Sequence, residues 1–175
     1  MQDTECEQQI LRLLYHEQFD LETPKETDLL QWARTENLEE ATLLQIMASL
    51  QGRELVYASG KLHPFRLSAK GVFWVEDSGL APAHSATHHF AVRLGILEAL
   101  SLYSANRESA GDAALADRAA LSSIDFHRNL PILQDAGWVK VNPDGRIEIT
   151  VKGLQTLHEW RKDVRAKVTG SQRPA

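Results

Sequence analysis

Residues 123–160 read SIDFHRNLPILQDAGWVKVNPDGRIEITVKGLQTLHEW. Phe126, Leu130 and Leu133 stand at i, i+4 and i+7, one apolar stripe at helical spacing. Gly137 follows the last turn, where a left-handed stop favours a residue without Cβ. Trp138–Val141 and Ile147–Val151 are short β-type runs, and Asn142-Pro143-Asp144-Gly145 between them is a tight-turn sequence. Proline presets φ at its second position and glycine closes it. Leu154, Leu157 and Trp160 supply the stripe of a further helix. Helix, two-stranded hairpin and helix predict a mainly α, α+β chain.

The same order occurs upstream. Shifted by 83 positions, Leu43, Met47, Leu50, Leu55 and Val56 fall on Phe126, Leu130, Leu133, Trp138 and Val139. Past the hairpin the shift is 82, which places Leu67-Ser68-Ala69-Lys70-Gly71 on Ile149-Thr150-Val151-Lys152-Gly153. One residue of hairpin length accounts for the change. A repeat of about 80 residues is long enough to close a core of its own, so it predicts duplicated domains and not a solenoid.

The predicted boundaries follow. Unit one covers 1–79: a helix to about residue 18 carrying Ile10, Leu13 and Leu14, and a connection that Pro24 keeps from being helical. A short helix with Leu29, Leu30 and Trp32 is capped by Thr27 or Asp28, and a third, over about 38–51, by Asn37. A turn at Ser59-Gly60-Lys61 joins its strands. Residues 80–89 read as a linker by composition. Unit two covers 90–164, opening with Phe90, Leu94, Leu97 and Leu100; Asp112 caps its short helix, and Ser122 or Ser123 its third. The tail, 165–175, is expected to be disordered.

Leu133-Gln-Asp-Ala-Gly-Trp-Val and Ile149-Thr-Val-Lys-Gly resemble the strand entry and the "L-T-x-K-G" wing end of winged helix-turn-helix regulators such as the ArsR and MarR families. The resemblance implies tandem winged helix-turn-helix domains, mainly α with small β-wings, and a non-enzymatic DNA-binding protein, a transcriptional regulator. With Phe126, Leu130 and Leu133 inward, helical geometry puts Ile124, His127, Arg128, Pro131 and Asp135 on or near the outer face, and Asn129 at its flank. Those positions match the recognition helix that enters the major groove. Ser123, His127, Arg128 and Asn129 on the helix, Lys140 and Arg146 on the wing, and Lys152 beyond it are therefore the expected double-stranded DNA contacts. Pro131 predicts a kink or a late helix start.

Charge divides along the chain. Residues 1–79 carry 14 acidic and 7 basic side chains, residues 80–175 carry 10 and 12. Phosphate binding needs local positive potential, so the second unit is the expected DNA face. The aligned outer face of unit one offers Ala41, Leu44, Gln45 and Ala48, with Glu39 and Glu40 at the helix start, which suits a protein surface. A homodimer or a protein partner follows from it. A protein-interaction scaffold that binds no DNA is the rival reading, favoured by the overall charge of −5 and by Pro131.

No phosphate loop, nucleophile elbow, H-E-x-x-H or Cys cluster occurs, so no enzyme and no cofactor are expected. His84 and His88 are four apart, a metal-site spacing, but no Cys or carboxylate completes a set before Glu98, so a solvated linker or helix start is favoured and no metal is expected. Cys6, the single cysteine, lies near an expected frayed end and reads as incidental. The four tryptophans lie in or beside apolar stripes, as core or interface anchors. No apolar run reaches the roughly 18–20 residues that span a bilayer, and the acidic N-terminus is no signal peptide. A cytoplasmic protein without membrane contact is the expectation.

Overall fold

The computed structural model describes residues 3–21, 29–58, 65–106 and 108–170. Two compact units divide the chain, Met1–Thr87 and His88–Ala175. In the first, α1 (Asp3–Phe19), α2 (Leu29–Thr35) and α3 (Glu40–Gly52) precede the antiparallel pair β1 (Val56–Ala58) and β2 (Phe65–Leu67), followed by α4 (Ala69–Asp77). The second repeats this order with α5 (Ala83–Ala105, entering the unit at His88), α6 (Asp112–Arg118), α7 (Ser123–Asp135), β3 (Val139–Val141), β4 (Ile147–Ile149) and α8 (Val151–Gly170). Elements α2, α3 and β1 map onto α6, α7 and β3 at an offset of 83, and the starts of β2 and α4 onto those of β4 and α8 at 82.

The correspondence extends to single atoms. Asn37 and Ala120, 83 apart, both hold positive φ (55° and 53°), as do Glu54 and Gly137 (61° and 73°). Leu55 N–H bonds Leu50 O, and Trp138 N–H bonds Leu133 O, each closing the helix end over its left-handed residue. Ser68 Oγ donates to Glu54 O and accepts from Gly71 N; Thr150 Oγ1 donates to Gly137 O and accepts from Gly153 N. One cap therefore ties the returning strand, the preceding helix end and the last helix together in each unit. Glycine is required beside it. A Cβ on Gly71 would lie 2.0 Å from Leu55 O, and one on Gly153 2.1 Å from Trp138 O.

Each core grows from the apolar stripes. Leu43, Met47 and Leu50 of α3 are buried in the first unit with Ile10, Leu14 and Val72. Phe126, Leu130 and Leu133 of α7 are buried in the second with Ile96, Leu100 and Leu157. Trp138 and Trp160 are partly buried against that core and meet edge to face at 5.1 Å. The Asn142–Gly145 turn closes with Gly145 N–H on Asn142 O at 2.9 Å, and Gly145 holds φ 78°. Beyond the hairpin, Ile147 N–H bonds Ala110 O, so β4 gains a one-residue bridge on its outer edge.

Several expectations are corrected. Residues 83–89, expected within a linker, are helical: Pro82 precedes the first turn, where a missing N–H costs nothing, and its carbonyl accepts from Ala86 N. Residues 165–170, expected in a disordered tail, continue the α8 backbone. Cys6 is 1 % exposed inside α1, a core side chain and not one at a frayed end. Asn37 does not cap α3, since it sits in the left-handed region and Glu39 is the capping residue. Gly111, not Asp112, precedes α6. Pro131 lies inside α7, which starts at Ser123 with Ser122 as its cap, so there is no late start. The expected cap at Thr27 or Asp28 and the turn at 59–61 lie outside the described residues.

Candidate nucleic-acid interface

Helix α7 presents the expected outer face. Ser122 Oγ accepts Asp125 N–H at 3.0 Å and starts it. Burial of Phe126, Leu130 and Leu133 then turns Ile124, His127 and Pro131 outward, all exposed, with Asp135 exposed at the end. Ser123 is exposed, and its carbonyl receives His127 Nδ1 at 2.7 Å. Asp112 Oδ2 is 3.8 Å from His127 Nε2. Ser123 Oγ lies 3.2 Å from the same Nδ1, but the one proton that atom carries points at the carbonyl, so this Ser-His-Asp grouping does not deliver a base to the hydroxyl.

The hairpin and the helix behind it bring further cations. Lys140 is exposed on β3. Arg146, also exposed, reaches Asp144 at 3.4 Å and donates to Ser109 Oγ. Lys152 is exposed and its Nζ donates to Ala136 O at 2.7 Å, the carbonyl at the end of α7. Arg128 is half-buried and has an interaction of its own. Five of the seven expected contacts are thus exposed, and one is partly withdrawn.

Asn129 is not available to DNA. It is 0 % exposed. Its Oδ1 accepts from Arg93 Nη1 at 3.3 Å, and its Nδ2 reaches Asp125 O at 2.9 Å and His89 Nδ1 at 3.1 Å. The reason is packing: position 129 is at the flank of the Phe126–Leu130–Leu133 stripe, but the buried face of α7 extends past it to Ile132, 2 % exposed, so the flank is covered as well. Arg93 is itself 0 % exposed and His89 3 %. A polar seam therefore joins α5 to α7 where two apolar stripes would otherwise meet.

Beside that seam, His88 Nε2 and Asp125 Oδ1 are 3.0 Å apart, and Ser122 Oγ donates to Asp125 Oδ2 at 2.7 Å. His88, His89 and Asp125 bring one donor atom each within 4.8 Å of one another. Sequence spacing had paired His88 with His84; the carboxylate that meets it comes from another helix, 37 residues on. Burial alone, the largest influence, pushes the Asp125 carboxyl up. The hydrogen bonds from His88 and Ser122, with the charges of His88 and His89, together overcome it and hold the group below its ordinary 3.8. A depressed carboxyl stabilises the fold above its unfolded-state value and loses that contribution as pH falls through the folded one. The melting-temperature advantage of the natural chain over Asp125→Asn is therefore expected to be full at pH 5 and to shrink below about pH 4. A difference constant across that window, by calorimetry, would contradict it.

A cleft of about 270 Å³ opens along β4, lined by Leu100, Tyr103, Ser104, Glu108, Ser109 and residues 147–149. Glu108 and Glu148 make it unsuited to an anion. Among the described residues, no helix is long and apolar enough to cross a membrane. No family model, curated protein or solved structure matches the chain.

Proposed function

We propose that the chain is a DNA-binding protein of two tandem winged helix-turn-helix units, non-enzymatic and acting as a transcriptional regulator. The second unit makes the principal contact: α7 enters the groove, and the β3–β4 hairpin and the start of α8 hold phosphates. The observation that carries this reading is a difference between equivalent faces. In the second unit the outward groups include His127 on α7 and the exposed cations Lys140, Arg146 and Lys152. In the first unit, on a matching backbone, α3 turns out Ala41, Leu44 and Ala48, with Glu39 and Glu40 at its start, while Lys70, the counterpart of Lys152, is paired with Glu54 and Arg66 lies over Tyr57. Helix α3 therefore opposes phosphate at its start, and the balance of exposed charge favours the second face. A single small unit reads few base pairs, so the protein acts as a dimer.

Fluorescence anisotropy of the purified chain on mixed duplex DNA across a salt series tests this. Affinity should fall steeply with salt, and the triple variant Lys140→Ala, Arg146→Ala, Lys152→Ala should lower the log–log slope by between about 2 and 3. An unchanged slope would remove these residues from the interface. No binding at low salt would favour the second reading, a protein-interaction module. Leu44, 59 % exposed in the middle of α3, is the observation behind it.

A further inference from the structure

We propose that His88, His89 and Asp125 form a binding site for a divalent transition-metal ion of the Zn²⁺ class. Adjacent residues on a helix point about 100° apart. Both imidazoles nevertheless turn to α7, where His88 meets Asp125 and His89 meets Asn129, and their rings approach edge to face at 5.0 Å. The three donors lie within 4.8 Å of one another. A tetrahedral ion with bonds of about 2.0–2.1 Å sets its donors about 3.3 Å apart. The His88–Asp125 pair, at 3.0 Å, already has that spacing. The remaining closure falls to His88 and Asp125, whose side chains are 53 % and 23 % exposed and can rotate.

The surroundings suit a held site. His89, 3 % exposed, is the anchored donor; Asn129 Nδ2 donates to its Nδ1 at 3.1 Å, which marks a lone pair on that nitrogen, one the ion would take from the amide. Asp125 uses Oδ2 for the Ser122 hydroxyl, and Oδ1 faces His88. The Ser122 hydroxyl behind the carboxylate sets its orientation. Two imidazoles and one carboxylate, with no thiolate in the set, select borderline ions such as Zn²⁺ and Co²⁺ over Ca²⁺ or Cu⁺. Water from the exposed His88 side completes the fourth position. The ion would clamp the first turn of α7 to α5 and stabilise the second unit by mass action.

The full chain is titrated with Co²⁺, read by visible d–d absorption, and then with competing Zn²⁺. One equivalent should bind with the intense absorption of tetrahedral Co²⁺, and Zn²⁺ should displace it and raise the melting temperature. His88→Gln and Asp125→Asn should each weaken binding about tenfold or more. His84→Gln, one turn earlier on α5 and outside the set, should not. His88 is exposed, so His88→Gln keeps the fold, which circular dichroism checks. Absence of tetrahedral absorption, or affinity equal to the natural chain in both His88→Gln and Asp125→Asn, overturns the proposal.

Discussion

Gly153→Ala is expected to destabilise the second unit by about 3 kcal/mol or more, the upper range for forcing a methyl into a filled space. The new Cβ would stand 2.1 Å from Trp138 O and 2.9 Å from Ile149 Cγ1. The carbonyl cannot yield cheaply, because it accepts Thr150 N–H at 3.0 Å. Moving it opens the junction between β3, β4 and α8. Gly71→Ala should do the same to the first unit, where Leu55 O lies 2.0 Å from the added atom. Gly95→Ala is the control. It sits inside α5 with its nearest foreign atom 4.0 Å from the new Cβ, so alanine should gain about 0.5–1 kcal/mol of helix propensity. Urea denaturation separates the three, with hydrogen exchange over residues 139–149 assigning the loss at Gly153. Natural stability in Gly153→Ala would show that the close approach is not made.

Asn129→Leu should cost about 2–3 kcal/mol, as expected when a hydrogen bond to a charged group is lost inside a protein. Leucine fills a similar volume, so the penalty is polar and not a cavity. It takes an acceptor from Arg93, which stays charged at 0 % exposure, and the ring contact from His89. Adding Arg93→Met to Asn129→Leu should recover part of the loss, giving a coupling of about 1 kcal/mol or more in a double-mutant cycle. Thermal and urea unfolding of the four proteins measures it. A variant that keeps full stability and only weakens DNA binding would return Asn129 to the surface role its sequence position suggested.

That position shows where residue type misleads. Asn129 lies at the flank of the Phe126, Leu130 and Leu133 stripe, where a polar side chain suits solvent, yet burial extends past it to Ile132. Burial followed the helix and not the polarity, because Arg93 and His89 arrive from α5 to satisfy the amide. Glu54 is a second case. It holds the left-handed position that Gly137 fills in the other unit, and only the matching bond from Leu55 N to Leu50 O identifies it as a helix stop. Residues 83–89 are a third. Alanine, serine and histidine after a proline compose a linker or a first helical turn equally well, and the backbone bond from Ala86 to Pro82 decides between them.

Local order was written in the chain. Apolar spacing in α3 and α7, the Asn142–Gly145 turn and a serine cap at 122 or 123 are enforced by dihedral preferences or periodicity within a few residues, and the offsets of 83 and 82 are read directly from the chain. The mainly helical α+β class with two antiparallel hairpins followed from them. Packing between distant segments decided the rest. It withdrew Asn129 from solvent, half-covered Arg128, buried Cys6, and made Gly71 and Gly153 obligatory through carbonyls 16 and 15 positions earlier. It also brought Asp125 to His88 and His89. Such pairings depend on which helix faces which, and no local spacing encodes the approach of two side chains 37 residues apart.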